Sequence, residues 1–171
     1  GIKFNMQNIN VTAAFFNRDS DNLIDYVKEN EEDLWVATNV RSLNTKGFET
    51  HAKYNFKING FIQFLNLGYT YMEDEVKELG ITYSRYSINS LKQQVTGSFK
   101  SQFLKNLSQS IVYKYAERTA GERYTVVDVS ATLQLKKLEL SVIANNIFNE
   151  AYTETNLVPM PKGNLLLESL L

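Results

Sequence analysis

The sequence contains no cysteine and little proline or glycine: of its 171 residues, two are Pro and eight are Gly. Without cysteine, the chain forms no disulfides, performs no thiolate chemistry and has no cysteine-based zinc site. Its 18 Lys and Arg do not exceed its 19 Asp and Glu, which argues against a nucleic-acid-binding protein. No run of about 18 apolar residues occurs, so the sequence predicts no transmembrane helix.

The sequence is instead rich in aromatic residues, with 10 Tyr and 10 Phe, and its apolar residues recur at every second position. Between Leu91 and Phe103 one phase is largely apolar, and the other consists only of Lys, Gln, Thr and Ser. This period of two predicts β-strands with one polar and one apolar face. A soluble β-sandwich would give the same local pattern, so the alternation alone leaves the fold open. Two glutamines, Gln63 and Gln109, fall in the apolar phase, close to predicted turns.

The breaks in this alternation are alternately short and long, which is typical of a transmembrane β-barrel. The strands between them have about ten residues or more, enough to cross a bilayer at a tilt. We therefore predict an all-β fold: an antiparallel transmembrane β-barrel segment with about eight full strands after a partial strand at Gly1–Met6. The short breaks lie near residues 7–8, 57–60, 104–106 and 136–137, and the long ones near 19–33, 73–89, 116–123 and 149–162.

Residues suited to catalysis or metal binding are few. His51 is the only histidine, and it shares the polar phase with Glu49 and Lys53. These residues form neither a Ser-His-Asp arrangement nor the ligand set of a zinc site. We therefore expect no enzyme activity, no cofactor and no metal site.

The long breaks contain the residues best placed to contact a ligand. The acidic segment between Asp19 and Asp33 lacks the spacing of a calcium-binding loop, so we expect it to be a solvated loop. Tyrosines and arginines of the other long breaks are candidate ligand contacts, although barrel-rim structure or lipopolysaccharide contact explains them equally well. These candidates are Tyr83, Arg85, Tyr86, Arg118 and Arg123.

Three segments resemble elements of TonB-dependent outer-membrane receptors. Asn145–Tyr152 resembles the Asn-Leu-Phe-Asp-x-x-Tyr signature near the end of these receptors, and Thr45–Glu49 resembles a Thr-x-Gly-x-Glu element on an earlier strand. The segment from Pro159 is similar to the Pro-x-Pro-Gly-Arg start of their final strand, with Lys162 and Gly163 in place of Gly and Arg. The three elements occur in the order that the family shows, so the resemblance extends over essentially the whole chain.

The resemblance implies a barrel of about 22 strands closed by an N-terminal plug. Residues 1–171 would be its C-terminal portion, and the plug would be absent from this chain. The implied function is TonB-dependent, energy-coupled uptake of a scarce ligand, such as a siderophore or cobalamin, across the cell outer membrane. The implied partners are outer-membrane lipid, the remainder of the barrel and plug, TonB through the N-terminal part, and a small-molecule ligand, but no nucleic acid.

Two other functions remain open at this point. A stand-alone small outer-membrane barrel with a structural or adhesive role is disfavoured by the partial ninth strand, because closed bacterial barrels normally have an even number of strands. A soluble β-rich binding protein would have an apolar interior, whereas here Lys92, Lys100 and Lys114 lie in the polar phase.

Overall fold

The structure is a computed structural model that describes residues 1–76, 83–85, 90–154 and 158–170. These residues form one antiparallel sheet of ten strands. Neighbouring strands follow chain order, except that a two-residue strand at Tyr83–Ser84 pairs with the strand Ile9–Lys28. The all-β prediction is confirmed: apart from the two-residue strand, one short strand is followed by eight longer ones. The strands are β1 (Ile2–Asn5), β2 (Ile9–Lys28), β3 (Val36–Ile58), β4 (Phe61–Val76), β5 (Tyr83–Ser84), β6 (Leu91–Leu104), β7 (Leu107–Arg118), β8 (Arg123–Gln134), β9 (Glu139–Asn145) and β10 (Asn164–Leu170).

The connections at one end of the sheet, the short-turn end, are all short, as predicted. At the other end, the long-loop end, the β2–β3, β4–β6 and β9–β10 connections are longer, but the predicted long break near 116–123 is only a four-residue turn at 119–122, the same length as the turn at 135–138 between β8 and β9. The acidic segment, however, is mostly strand and not the expected loop, because β2 and β3 continue as a paired hairpin as far as Val27↔Val36. Backbone hydrogen bonds stabilise this extension of the hairpin, and they form whether or not apolar and polar side chains alternate. Loss of alternation therefore marked where polar and apolar residues mix on both faces, as Val27↔Val36 and Tyr26↔Ala37 show, and not where the strands end.

The register of the strands divides the sheet into an apolar face and a polar face, because directly paired residues lie on the same side. One row of the apolar face runs Val11, Ala52, Leu67, Gly97, Tyr113, Val127, and the adjacent row of the polar face runs Asn10, Lys53, Asn66, Ser98, Val112, Asp128. The apolar face is open: the side chains of Phe15 and Leu167 are 84% and 76% exposed. A soluble sandwich would cover such a face with a second layer.

Aromatic rings form two belts on the apolar face. Near the long-loop end, the Phe48 ring centroid lies 5.9 Å from that of Phe15 and 5.5 Å from that of Tyr69. Near the short-turn end, the rings of Tyr54 and Phe56 stack at 5.0 Å. Phe48 and Phe56 are eight residues apart on β3, about 26 Å along the strand and about 20 Å across a membrane at barrel tilt. This separation fits an apolar band with an aromatic girdle at each boundary.

The strand order leaves β1 and β10 as the two edges of the sheet. The described residues therefore form an open wall and not a closed eight-stranded barrel. Unpaired strand edges are unfavourable in lipid, where no water can satisfy the backbone groups. No helix within the described ranges is long and apolar enough to span a membrane.

Gln63 has a structural reason for lying in the apolar phase. The β4–β6 ladder ends at Phe64↔Lys100, and the Gln63 amide occupies the gap beyond that pair. Its Nε2 donates to the backbone oxygens of Phe61 and Gln102, at 3.1 Å each, and the residue is only 1% exposed. The side chain thus links two strands where their backbone pairing stops.

Gly47 permits a close approach between β3 and its neighbours. A Cβ at this position would lie 2.1 Å from the backbone oxygen of Tyr71 and 2.8 Å from Cζ of Phe16. We expect Gly47→Ala to destabilise the folded protein by about 2 kcal/mol, because overpacking forces the backbone to shift. Gly97→Ala is the control, since its Cβ would lie 3.6 Å from Leu67 Cδ2, an ordinary contact. Urea unfolding in detergent measures both variants, and equal losses would contradict this reading of Gly47.

Candidate functional site

Tyr83 and Arg85 lie beside the distal part of the β2–β3 hairpin, in what we call the hairpin cluster: Tyr26, Lys28, Trp35, Tyr83 and Arg85. The Lys28 ammonium lies 5.0 Å from the Trp35 ring centroid and 5.2 Å from that of Tyr83. The Arg85 guanidinium lies 5.8 Å from the Tyr26 ring centroid. These are cation–π distances, so the cluster attaches β5 to the hairpin. Tyr26, Lys28 and Trp35 were not among the predicted contacts: the first two lie in the segment that was expected to be a solvated loop, and Trp35 lies two residues after its end.

The tip of this hairpin is acidic. Residues 29–33 contain three glutamates and one aspartate, and the Asp33 carboxylate accepts hydrogen bonds from the backbone and side-chain nitrogens of Asn30 at 2.9 and 3.0 Å. Within the described ranges, no group of three or more His, Asp or Glu side chains is placed to hold a metal ion. The cluster therefore offers aromatic surface and two cations beside a negatively charged tip.

Arg118 and Arg123 flank the tight β7–β8 turn but lie in opposite phases. Arg123 pairs with Glu117 in the apolar phase, and Arg118, one residue further along, lies in the polar phase. Near Arg123 the Glu117 carboxylate accepts hydrogen bonds from Gln93 Nε2 at 2.6 Å and from the Tyr115 hydroxyl at 3.0 Å. The structure thus places the candidates in two separate groups, Tyr83 with Arg85 and Arg118 near Arg123. Tyr86 lies outside the described residues.

The β9–β10 connection folds back over the polar face and is fixed there by side chains, which we call the clasp: Lys114, Tyr124, Tyr152 and Glu154. The Glu154 carboxylate forms an ion pair with Lys114 and accepts a hydrogen bond from the Tyr124 hydroxyl at 3.0 Å. The rings of Tyr124 and Tyr152 lie 4.5 Å apart between centroids. Tyr124 also packs with Ala116 and Val126 in the cluster of buried apolar residues. The clasp therefore attaches the β9–β10 connection to β7 and β8 on the polar face of the sheet.

The clasp should respond to pH through Glu154. Its hydrogen bond from Lys114 holds the pKa of the Glu154 carboxyl below the usual range, and the Tyr124 hydroxyl acts in the same direction against the effect of burial. Because the folded-state pKa is the lower one, the stabilisation is present above the unfolded-state pKa. It is lost as the pH falls through the folded-state value.

We expect the connection to stay docked at neutral pH and to be released only below the ordinary range of glutamate. In Glu154→Gln, docking should be weaker and independent of pH over that range. A nitroxide on Ala151→Cys would report the change as spin-label mobility, since the chain has no other cysteine. Glu150→Gln is the control, and an identical pH response in Glu154→Gln would contradict the assignment.

The segment that resembles the receptor signature forms a tight turn after β9. Asn146 and Asn149 adopt left-handed backbone angles, with φ of 47° and 54°. The Asn146 side chain accepts from Glu150 N at 2.9 Å and donates to Glu150 O at 2.8 Å, while its backbone N–H donates to Asp128 Oδ1 at 2.7 Å. Asn149 Oδ1 accepts from Gly163 N at 3.1 Å. These residues thus connect the end of β9 to the start of β10.

His51 lines a hollow of about 510 Å³ on the polar face. Its Nδ1 lies 3.0 Å from the backbone oxygen of Leu67, and because that oxygen only accepts, Nδ1 carries the proton. A Cβ at Gly68 would lie 3.2 Å from Cε1 of His51, so the glycine leaves room for the ring against the sheet. The directly paired residue on β2 is Thr12. These contacts place His51 in the polar face of the wall, packed against β4.

The fold is similar to those of solved metal transporters. The FrpB iron transporter from Neisseria meningitidis matches in its F3-3 variant, with a TM-score of 0.69 and 15% identity, and in its F5-1 variant, with a TM-score of 0.65 and 16% identity. The copper transporter OprC matches with a TM-score of 0.69 and 14% identity. Each match covers 98% of this chain, which spans only 29–30% of the length of those proteins. None of the curated proteins matches this sequence.

Residues 1–147 match the model of a protein family described as TonB dependent receptor-like, beta-barrel. That range contains β1 to β9, and thus both faces of the sheet. Proteins of this family are outer-membrane transporters and not enzymes. This chain belongs to the TonB-dependent receptor-like β-barrel family.

Proposed function

We propose that this chain forms the C-terminal portion of the barrel of an outer-membrane receptor that takes up a metal-containing ligand, such as a siderophore complex or cobalamin, by TonB-dependent transport. The observation that carries the proposal is the sheet itself, with an exposed apolar face between two aromatic belts and a polar face opposite. Such a sheet is stable when one face meets lipid and the other lines a filled or water-containing lumen.

The orientation in the membrane follows from the connections. Outer-membrane barrels have short periplasmic turns and longer outer loops, so the long-loop end would face the exterior. The hairpin cluster and the clasp would then lie at the outer rim. Ligand contacts would come from Tyr83, Arg85, Tyr86 and Arg118, with Arg123 on the outer side of the wall. The names of the similar structures, an iron and a copper transporter, support a ligand that contains a metal.

The partners follow from the two open edges and the two faces. Outer-membrane lipid would cover the apolar face, and further strands of the same barrel would pair with β1 and β10. An N-terminal plug, absent from residues 1–171, would occupy the lumen and carry the segment that contacts TonB.

Uptake by cells that express the full-length receptor tests the proposal. We expect accumulation of a radiolabelled ferric siderophore or cobalamin that stops when the proton-motive force is collapsed, while binding at the cell surface persists. Arg85→Gln should weaken surface binding several-fold, because it removes a cation of the hairpin cluster. Lys137→Gln, at the short-turn end, is the matched control. Accumulation that does not depend on the proton-motive force would contradict the proposal.

A further inference from the structure

A second hollow lies at the short-turn end of the polar face. Its lining residue Ser110 is four residues, about 13 Å, from the clasp residue Lys114 along β7. The volume of the hollow is about 830 Å³, within the range of small-molecule sites. Four strands form it, and most of the strand residues that line it belong to the polar phase. Its lining includes two lysines and four hydroxyl residues: Lys100, Lys105, Ser108, Ser110, Ser130 and Thr132.

The charge in this hollow has one sign. Lys100 and Lys105 are its only ionisable lining residues among those the structure describes, and both side chains are exposed. Within the described residues, neither ammonium group takes part in an ion pair. Glu139, which pairs with Gln134 at the margin of the hollow, is not part of the lining. A concave surface whose charged groups are all positive concentrates anions from solution.

The neutral groups around these lysines are hydrogen-bond donors. Ser110 lies opposite Lys100 in the register, and Ser130 lies opposite Ser110, so one row carries an ammonium followed by two hydroxyls. In the next row, Ser108 is paired with Thr132. Ammonium and hydroxyl donors on neighbouring strands suit the several acceptor oxygens of a carboxylate or phosphate.

The apolar part of the hollow is on β4. Ile62 and Phe64 line it on the polar side of the sheet, and the Phe64 side chain is 42% exposed. A ligand held here would thus place its oxyanion over Lys100 and an apolar part against Phe64.

We propose that this hollow is a binding site for small oxyanionic molecules that carry carboxylate or phosphate groups, held by Lys100, Lys105 and the hydroxyls of Ser108, Ser110 and Ser130. This inference rests on the proposed function, because it treats the polar face as the wall of a transport route. It adds a site at the short-turn end, which a ligand would occupy after passing the rim.

Lysine acylation in the purified full-length receptor tests the site, with citrate as the carboxylate probe and inorganic phosphate as the phosphate probe. We expect millimolar citrate to slow acylation of Lys100 and Lys105 at least threefold, measured for each peptide by mass spectrometry. Sodium chloride at equal ionic strength controls for screening. Lys136 and Lys137, on the next short turn, are the matched control lysines and should not be protected. Phosphate protection without citrate protection would assign the site to phosphate groups.

Two variants separate specific binding from general attraction. Ser110→Ala with Ser130→Ala should raise the citrate concentration for half-protection several-fold while both lysines stay reactive, and Lys100→Gln should abolish protection of Lys105. Equal protection on both turns, protection by sodium chloride, or no protection by either probe would overturn the proposal. So would lysines that are unreactive before any probe is added, because a protein segment would then occupy the hollow. The assay needs neither TonB nor energy, so its failure is distinguishable from failure of uptake.

Discussion

Val129→Lys is expected to prevent stable membrane assembly of the barrel, with a loss of about 2–4 kcal/mol near the middle of the bilayer. Val129 lies on the apolar face, where it pairs with Ile111 on β7 and Ala144 on β9. Both neighbours are apolar, so a lysine in this row would have no partner for its charge. The folding free energy in lipid vesicles, measured by urea titration, reports the effect.

The control for this experiment is the next residue, Ser130→Lys, which has nearly the same depth but faces the opposite side. Ser130 lies in a row with Ser110 and Lys100, where a second ammonium remains in contact with water. We expect its folding free energy to stay within about 0.5 kcal/mol of wild type, as for most exposed substitutions. Equal damage from both lysines would indicate two buried faces and would disprove a lipid-facing wall.

Asn146→Ala should cost about 3 kcal/mol, although the residue lies outside the strands. The side chain is buried, at 3% exposure, and its loss would leave Glu150 N and Glu150 O without their partner. Each unsatisfied buried group costs about 1–3 kcal/mol. Alanine also tolerates the positive φ of 47° poorly, which adds about 1 kcal/mol.

Further substitutions at this position separate the two contributions. Asn146→Gly removes the strain and keeps the hydrogen-bond loss, so it should recover about 1 kcal/mol relative to Asn146→Ala. Asn59→Gly, in the β3–β4 turn at φ 51°, is the control and should be nearly neutral. Urea unfolding of each variant, with the mobility of a spin label in the β9–β10 connection, measures the effects. An Asn146→Ala protein as stable as wild type would refute the structural role of the turn.

The sequence alone was sufficient for the fold class and for the strands of the membrane-spanning part. There the side-chain period of two reflects two different environments, so apolar and polar residues must alternate. The positions of the turns could also be predicted from the sequence, because the alternation of apolar and polar residues breaks at each of them. Beyond the aromatic belts this signal ends: polar and apolar residues mix on both faces of the β2–β3 hairpin, so its paired strands were predicted as a loop.

The arrangement of the rim depended on tertiary structure. Which of the candidate residues meet is decided by register and by the path of the connections, and neither leaves a periodic signal in the sequence. The Lys28 ammonium lies over the rings of both Trp35 and Tyr83, and Tyr83 is more than 40 positions away along the chain. Glu154 pairs with Lys114, which is 40 positions away. Neither contact is evident from composition. The sequence by itself determined a sheet with a lipid-compatible face, because burial of alternate side chains is a local property. Only the tertiary structure decided which polar groups share the other face, because that depends on how distant strands align.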